Sequence, residues 1–353
     1  MPASLRDGCD LISGVSGAHP TLVPRNLATN AVNRFFRFDE NSTRLPIENI
    51  TLEYPEDIGN KQRFLLEGGN IQGATIYNSF PAQNDSQLIL SVAGTIFRIK
   101  VIGKKGYVYK IFEGNDPVLT HAWFAQAFEW LIIQDGLAQP ILYNGTTARR
   151  SFMKPDGTSE EVPVGSVMAF IHGRLAVASA DGTNQIAVGD IVYGSDVTTT
   201  ADVIRFTETQ YWASGGAFGV PVYVGDISGM FAMPYLDTGT GQNELVVLGT
   251  SGAVALDLSR PRDQWLDSQL LRISLIGAGC VSTHSLAALN GDLFFRSAEG
   301  IRSYRNARSE FQQTWRQTPV SSDVRRWIGT DSPRLLEYNS QVAWNNMLLS
   351  TCS

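Results

Sequence analysis

The sequence predicts an all-β fold, a β-propeller of about five to six blades with an extended N-terminal arm. Three observations point there. Runs of four to six strand-forming residues recur in pairs around a glycine-bearing turn. The pairs repeat at a spacing close to the length of one four-stranded blade. Helical periodicity is weak throughout.

The pairs occupy residues 86–99, 129–143, 173–190, 244–258 and 291–304. Each joins two β-branched or aromatic runs across a tight turn, the pattern of a hairpin. Aligned on the first aliphatic residue, they give Leu88, Leu131, Leu175, Leu245, Leu293 and then Leu348. The steps are 43, 44, 70, 48 and 55 residues, against about 45 for one blade. The long step holds a Gly-rich insertion at 207–220 around Trp212, with Val222–Gly225 and Met230–Met233 after it, and reads as a blade with a large loop or as a blade without a legible signature. Ala122–Phe128, Val167–His172 and Ser282–Leu289 each precede a hairpin and read as inner strands, where small residues fit the taper. A two-layer sandwich with similar hairpins is the alternative that the regular spacing disfavours.

Residues 1–50 differ from the rest, with Pro2, Pro20, Pro24 and Pro46 among many Asn and Ser. They read as an extended arm carrying a short strand or two, the kind of segment that lies across a neighbour or stays mobile. Residues 51–353 read as one propeller-like domain, incomplete at its C-terminus unless another segment closes it. A short helix is expected around Ser321–Ile328, capped by Ser or Asp with Val324, Trp327 and Ile328 on one side.

Composition narrows the function. Charged residues make up only 18% of the 353 residues, below the usual quarter, which suits a subunit that hides surface against partners. Lys and Arg total 28 against 34 Asp and Glu, a net charge of −6. That argues against a broad nucleic-acid footprint. Cys9, Cys280 and Cys352 are too few and too scattered for a disulfide framework or a zinc site. No basic-then-apolar leader opens the chain, and no apolar run is long enough to span a bilayer, so no membrane insertion is expected.

No catalytic, cofactor or metal constellation is legible. His19, His121, His172 and His284 lack ligand spacing. Asp135, Asp181, Asp190, Asp257 and Glu299 sit in or beside hairpin turns, where capping accounts for them. Ser297-Ala-Glu-Gly-Ile-Arg-Ser-Tyr304 faintly resembles the Asp-box turn of sialidase-type propellers, but there is one copy, and Arg174, Arg272, Arg302 and Arg305 are not grouped in sequence.

Several segments resemble, in the same order, the tail hub or nozzle proteins of short-tailed bacteriophages, the packaged-DNA stabilisation family. They are Leu22–Arg34, Ser166–Ala178 with Val188–Ile191, Asn290–Tyr304, Thr318–Val324 and Trp344–Ser350. The resemblance implies a structural protein of the virion tail, assembled in the host cytoplasm. Copies of the chain, six in relatives, would ring the tail axis below the portal and its adaptor. The ring would continue the DNA channel, retain packaged DNA and open for ejection. Implied partners are other copies of the chain, the portal-adaptor, tail fibre or tailspike proteins, and genomic DNA passing without sequence-specific contact. Leu22, Val23, Pro24, Asn26, Arg34, Phe35 and Phe36 are the candidate contacts of the arm. The sequence ends soon after Asn345-Asn-Met-Leu-Leu349, where relatives continue. Two alternatives remain: a receptor- or carbohydrate-binding propeller, presenting Tyr211, Trp212 or Phe218, and a sialidase-like tail hydrolase needing paired carboxylates.

Overall fold

The computed structural model describes residues 34–37, 40–43, 49–56, 60–81, 85–119, 121–152, 161–180, 184–192, 200–206, 217–219, 224–233, 244–259, 271–276, 278–307, 319–321, 331–332, 334–344 and 347–351. The chain divides into two compact units, Asn49–Gly279 and Met1–Glu48 with Cys280–Ser353. The boundary at Gly279 falls inside the stretch that the sequence presents as one repeat series. In the first 48 residues, β1 (Arg34–Arg37) and β2 (Glu40–Thr43) pair as a hairpin, with Arg34 opposite Thr43.

The Asn49–Gly279 unit opens with β3 (Thr51–Glu53), α1 (Lys61–Gly68), β4 (Ile71–Asn78), β5 (Ser86–Val92), β6 (Thr95–Ile102) and β7 (Lys105–Glu113). Strands β4 to β7 form an antiparallel meander, and β3 adds in parallel to the outer edge of β7. A second sheet follows from β8 (Trp123–Ala127), β9 (Trp130–Gln134), β10 (Ile141–Tyr143) and β11 (Ala148–Arg150). The third comprises β12 (Gly165–Ile171), β13 (Arg174–Ser179), β14 (Gln185–Val188) and β15 (Ala217–Gly219). The fourth comprises β16 (Ile227–Met233), β17 (Glu244–Gly249), β18 (Ala253–Leu256) and β19 (Leu271–Ile276). Each is an antiparallel meander in chain order. Their first strands adjoin in series: β4 with β8, β8 with β12, β12 with β16.

The side-chain pattern follows from this stacking. A strand covered on both faces needs apolar residues at every position, not every second one. Accordingly Leu131, Ile132 and Ile133 are all buried in β9. Leu131 and Ile133 pack towards the first sheet with Tyr77, Ile89 and Ile96. Ile132 packs the other way with Leu175 and Val177 of β13. In turn, Ala176 and Ala178 join Leu245 and Val247 of β17. Each such buried Leu or Ile contributes about 1.5–3 kcal/mol by leaving water.

The aligned leucines therefore have one structural meaning. Leu88, Leu131, Leu175 and Leu245 lie on the second strands of their sheets. In the second, third and fourth sheets this leucine faces the preceding sheet. In the first sheet the same face carries α1, whose Leu65 and Leu66 pack with Tyr54 against Leu88, Leu90, Val92, Phe97 and Ile99. The helix is a finding that the strand-dominated reading did not include. Its Leu65-Leu66 pair and the Arg63–Glu67 ion pair at i, i+4 (2.9 Å) were the available signals.

The long 70-residue step contains β15, which lies within the Gly-rich stretch at 207–220 and completes the third sheet beside β14. Of the helix expected at Ser321–Ile328, only Ser321 is among the described residues.

The Cys280–Ser353 part of the other unit repeats the scheme. Strands β20 (Ala287–Leu289), β21 (Asp292–Ser297) and β22 (Gly300–Ser303) form a meander, and β23 (Gln341–Trp344) and β24 (Met347–Ser350) a hairpin beside β20. Leu293 and Leu348 again lie on second strands. Ser282 Oγ binds the carbonyls of Glu337 (3.0 Å) and Asn339, fastening the approach to β23.

Candidate functional site

The residues named from sequence are dispersed. Leu22, Val23, Pro24 and Asn26 lie outside the described residues, as do Tyr211 and Trp212. Arg34, Phe35 and Phe36 are on β1, and Phe218 is on β15. His19 lies outside the described residues, and the other three histidines do not share one position. His121 precedes β8 with its ring 6.3 Å from that of Trp123. His172 occupies the β12–β13 turn at φ 51°. His284 lies in a short 3-10 turn before β20. Among the described residues, no group of three or more His, Cys, Asp or Glu side chains is placed to hold a metal ion.

Of the turn carboxylates, Asp181 lies outside the described residues, and Asp135, Asp257 and Glu299 are held by neighbouring groups. Asp135 accepts hydrogen bonds from the amides of Asp116 (3.1 Å), Leu137 (2.9 Å) and Ala138 (2.8 Å). Asp257 Oδ1 accepts from Ser259 N (3.0 Å) and Oγ (2.6 Å). Glu299 pairs with Arg302 at 2.7 Å, and Arg302 Nε donates to Ser297 Oγ at 2.9 Å. The Asp-box-like segment is thus the β21–β22 turn, held by its own side chains. Arg174, buried in β13, donates to the carbonyl of Gly189 at 2.9 Å.

A polar node fastens the first sheet to the second. Tyr143 Oη lies 2.7 Å from Gln87 Oε1 and 2.6 Å from the Gly145 carbonyl, while Tyr77 donates to the Glu129 carbonyl at 3.0 Å. The two rings meet edge to face at 5.4 Å. Lys100, 3.0 Å away, followed by Gln87, holds the Asp85 carboxyl below its ordinary value. Burial, then the nearby Tyr143 and Glu129, pushes the Tyr77 phenol up to about 12. A phenol so placed stays protonated at neutral pH and donates its hydrogen bond to the Glu129 carbonyl.

Its pH signature follows. The folded value of Tyr77 lies above the unfolded one, near 10. The stabilising contribution is therefore complete below pH about 10 and is lost as pH rises towards 12. Phenolate absorbance titration should show Tyr77 ionising late, and Tyr143, also pushed up by burial, later than an ordinary tyrosine. Tyr77→Phe should flatten the loss of stability across that alkaline window; an unchanged slope would refute the assignment.

Large apolar side chains are exposed at several places, among them Phe64, Val118 and Leu137 and two sheet faces. On β4, Ile71 and Ile76 are 63% and 60% exposed. They lie opposite Val92 and Leu88 and so share the face that α1 partly covers. On β23, Val342 and Trp344 are 57% and 52% exposed, opposite Leu349 and Met347. No helix among the described residues is long and apolar enough to cross a membrane.

No family model matches the chain. No curated protein matches it. Among solved structures, BBS1N in complex with ARL6DN is 13% identical with a TM-score of 0.42, covering 76% of this chain and 68% of that one. YCF48 bound to D1 peptide is 10% identical with a TM-score of 0.37, covering 68% and 65%. PorZ of Porphyromonas gingivalis is 11% identical with a TM-score of 0.36, covering 78% of this chain and 36% of that one. Likeness of this size says nothing of what the chain does. Its own strands define the class: a mostly β protein of several small antiparallel sheets.

Proposed function

We propose that the chain is a β-propeller subunit of a bacteriophage tail, forming a ring of like copies below the portal-adaptor. The ring continues the DNA channel, retains packaged DNA and opens for ejection. The observation that carries this reading is the shared order of the segments resembling tail hub proteins. Ser166–Ala178 includes most of β12 and β13, Asn290–Tyr304 includes β21 and β22, and Trp344–Ser350 includes β24. Successive meanders whose first strands adjoin support a propeller of five to six blades. Residues 1–50 act as the arm towards the adaptor, with Leu22, Val23, Pro24, Asn26, Arg34, Phe35 and Phe36 as its contacts. The work is mechanical and the low charge fraction, 18%, suits large interfaces between subunits.

The test is the native mass of the purified protein, with negative-stain images, alone and with the adaptor ring added. Rings in either sample are expected. A monomer in both, with no adaptor binding, would remove this reading and favour a receptor- or glycan-binding propeller.

A further inference from the structure

The sheets of Asn49–Gly279 share one chain order. The second strand pairs with the third, the third with the fourth, and the chain runs on from the fourth to the next sheet. The hairpin β23–β24 stops at its second strand: among the described residues, nothing pairs with the outer edge of β24. The same compact unit holds a second lone hairpin, β1–β2. All four strands are four residues long. A two-stranded hairpin by itself is marginal in water. Joined edge to edge, the two would form a four-stranded sheet like the second, third and fourth. Their sequences suit such a sheet. Third strands here are covered on both faces, as in the wholly buried Ile141–Tyr143 of β10 and Ala253–Leu256 of β18. They need apolar residues at consecutive positions, because neighbours along a strand point to opposite faces. Arg34-Phe-Phe-Arg37 supplies Phe35 and Phe36 in a row. Fourth strands tolerate polar residues, as Ala148-Arg-Arg150 of β11 does, and Glu40-Asn-Ser-Thr43 is polar throughout.

We infer that the outer edge of β24 is a strand-receiving site and that β1 of the same chain docks on it, antiparallel, with β2 outermost. Strands β23, β24, β1 and β2 are then the first to fourth strands of one sheet. The chain direction agrees, since β2 leads on to the first sheet as each fourth strand leads to the next. A full four-residue ladder sets Phe36 opposite Leu348 and Phe35 opposite Leu349. Main-chain hydrogen bonds supply the contact, and strand addition satisfies donors and acceptors on both hairpins. The inference deepens the propeller reading above and does not need the ring. It also divides the arm: Arg34, Phe35 and Phe36 serve this sheet, and Leu22, Val23, Pro24 and Asn26 are left to reach the adaptor.

The experiment uses the full chain with Cys9→Ser and Cys352→Ser; Cys280 is buried and stays. Phe35→Cys is combined with Leu349→Cys, and Phe36→Cys with Leu348→Cys. Phe35→Cys with Val320→Cys, an exposed position in the same unit, is the control. After mild oxidation, mass spectrometry of the digest should find a disulfide within one chain for at least one of the first two pairs and none for the control. Hydrogen exchange gives a second readout that needs no exact register. Phe36→Pro removes a donor and breaks β1, so the amides of Met347–Ser350 should exchange about tenfold faster while those of β21 keep their rate. If Phe36→Pro does not fold, the cysteine pairs, which keep every main-chain donor, carry the test alone. Unchanged exchange at Met347–Ser350 would overturn the docking. Disulfides only between chains, or none in either pair, would overturn the ladder within one chain. A disulfide formed in a chain that stays monomeric with the adaptor would remove the ring reading and keep this contact. Rings without the disulfide would do the reverse.

Discussion

Replacing Gly94 by alanine is expected to destabilise the Asn49–Gly279 unit by about 3 kcal/mol, a fall in melting temperature of roughly 10 °C. Ala93 and Gly94 form the two-residue turn between Val92 and Thr95, with φ values of 44° and 77°. Both central residues at positive φ is the turn that matches strand twist. A side chain at Gly94 would cost about 1–2 kcal/mol in that region. Its Cβ would also stand 2.2 Å from the Asn115 carbonyl oxygen and 2.9 Å from its carbon. Those are backbone atoms, and no rotamer change moves them. Relief requires shifting the 114–119 connection, which Gln72 holds through the carbonyls of Asp116 (2.7 Å) and Leu119 (2.8 Å). Gln72 Oε1 in turn accepts from Ser91 Oγ and Gly94 N, both at 2.9 Å. Ala93→Gly is the control. It relieves strain in the same turn and should change stability by no more than about 1 kcal/mol. Equal effects from both substitutions in thermal unfolding would show that the close approach to Asn115 is not what matters.

The same turn shows what the sequence makes legible. Ser91-Val-Ala-Gly-Thr95 announces a hairpin because glycine sits at the tight position between two apolar runs. The pairing of Leu88 with Ile99 follows from that turn length. The six aligned leucines likewise marked second strands; Leu131, Leu175 and Leu245 are buried between stacked sheets, where each repeat needs an apolar residue. Local chemistry does not announce contacts far apart in sequence. The parallel addition of β3 to β7 joins Thr51 to Lys105, and nothing in three residues of strand foretells it. Helix α1 was hidden because its eight residues show no buried position of their own. It is held by the sheet it covers, not by propensity. The exposed faces of β4 and β23 were equally unreadable. Alternation gives a strand two faces but does not say which of them a neighbour will fill.

Asp331→Ala should be the most damaging single change in the Cys280–Ser353 part, about 3–5 kcal/mol. Arg296 Nη2 lies 3.0 Å from Asp331 Oδ2, and the two side chains are only 3% and 5% exposed. The other terminal nitrogen, Nη1, donates to the Ser297 carbonyl at 2.9 Å. Removing the carboxylate leaves a guanidinium buried with its charge unanswered, and that desolvation cost is the larger part of the loss. The pair itself need not be a net stabiliser, because both ions gave up water to form it. The double variant Arg296→Met with Asp331→Ala should therefore recover much of the deficit, to within about 1–2 kcal/mol of the parent chain. Denaturant unfolding of the three variants decides between the two views. If the double variant falls as far as the single one, the attraction between the ions is what holds residue 331 to β21. If it recovers, the pair is retained for placement. Asp331 then fixes where the chain returns, Ser282 grips the Glu337 and Asn339 carbonyls, and β23 reaches its place beside β20 with Val342 and Trp344 facing outward.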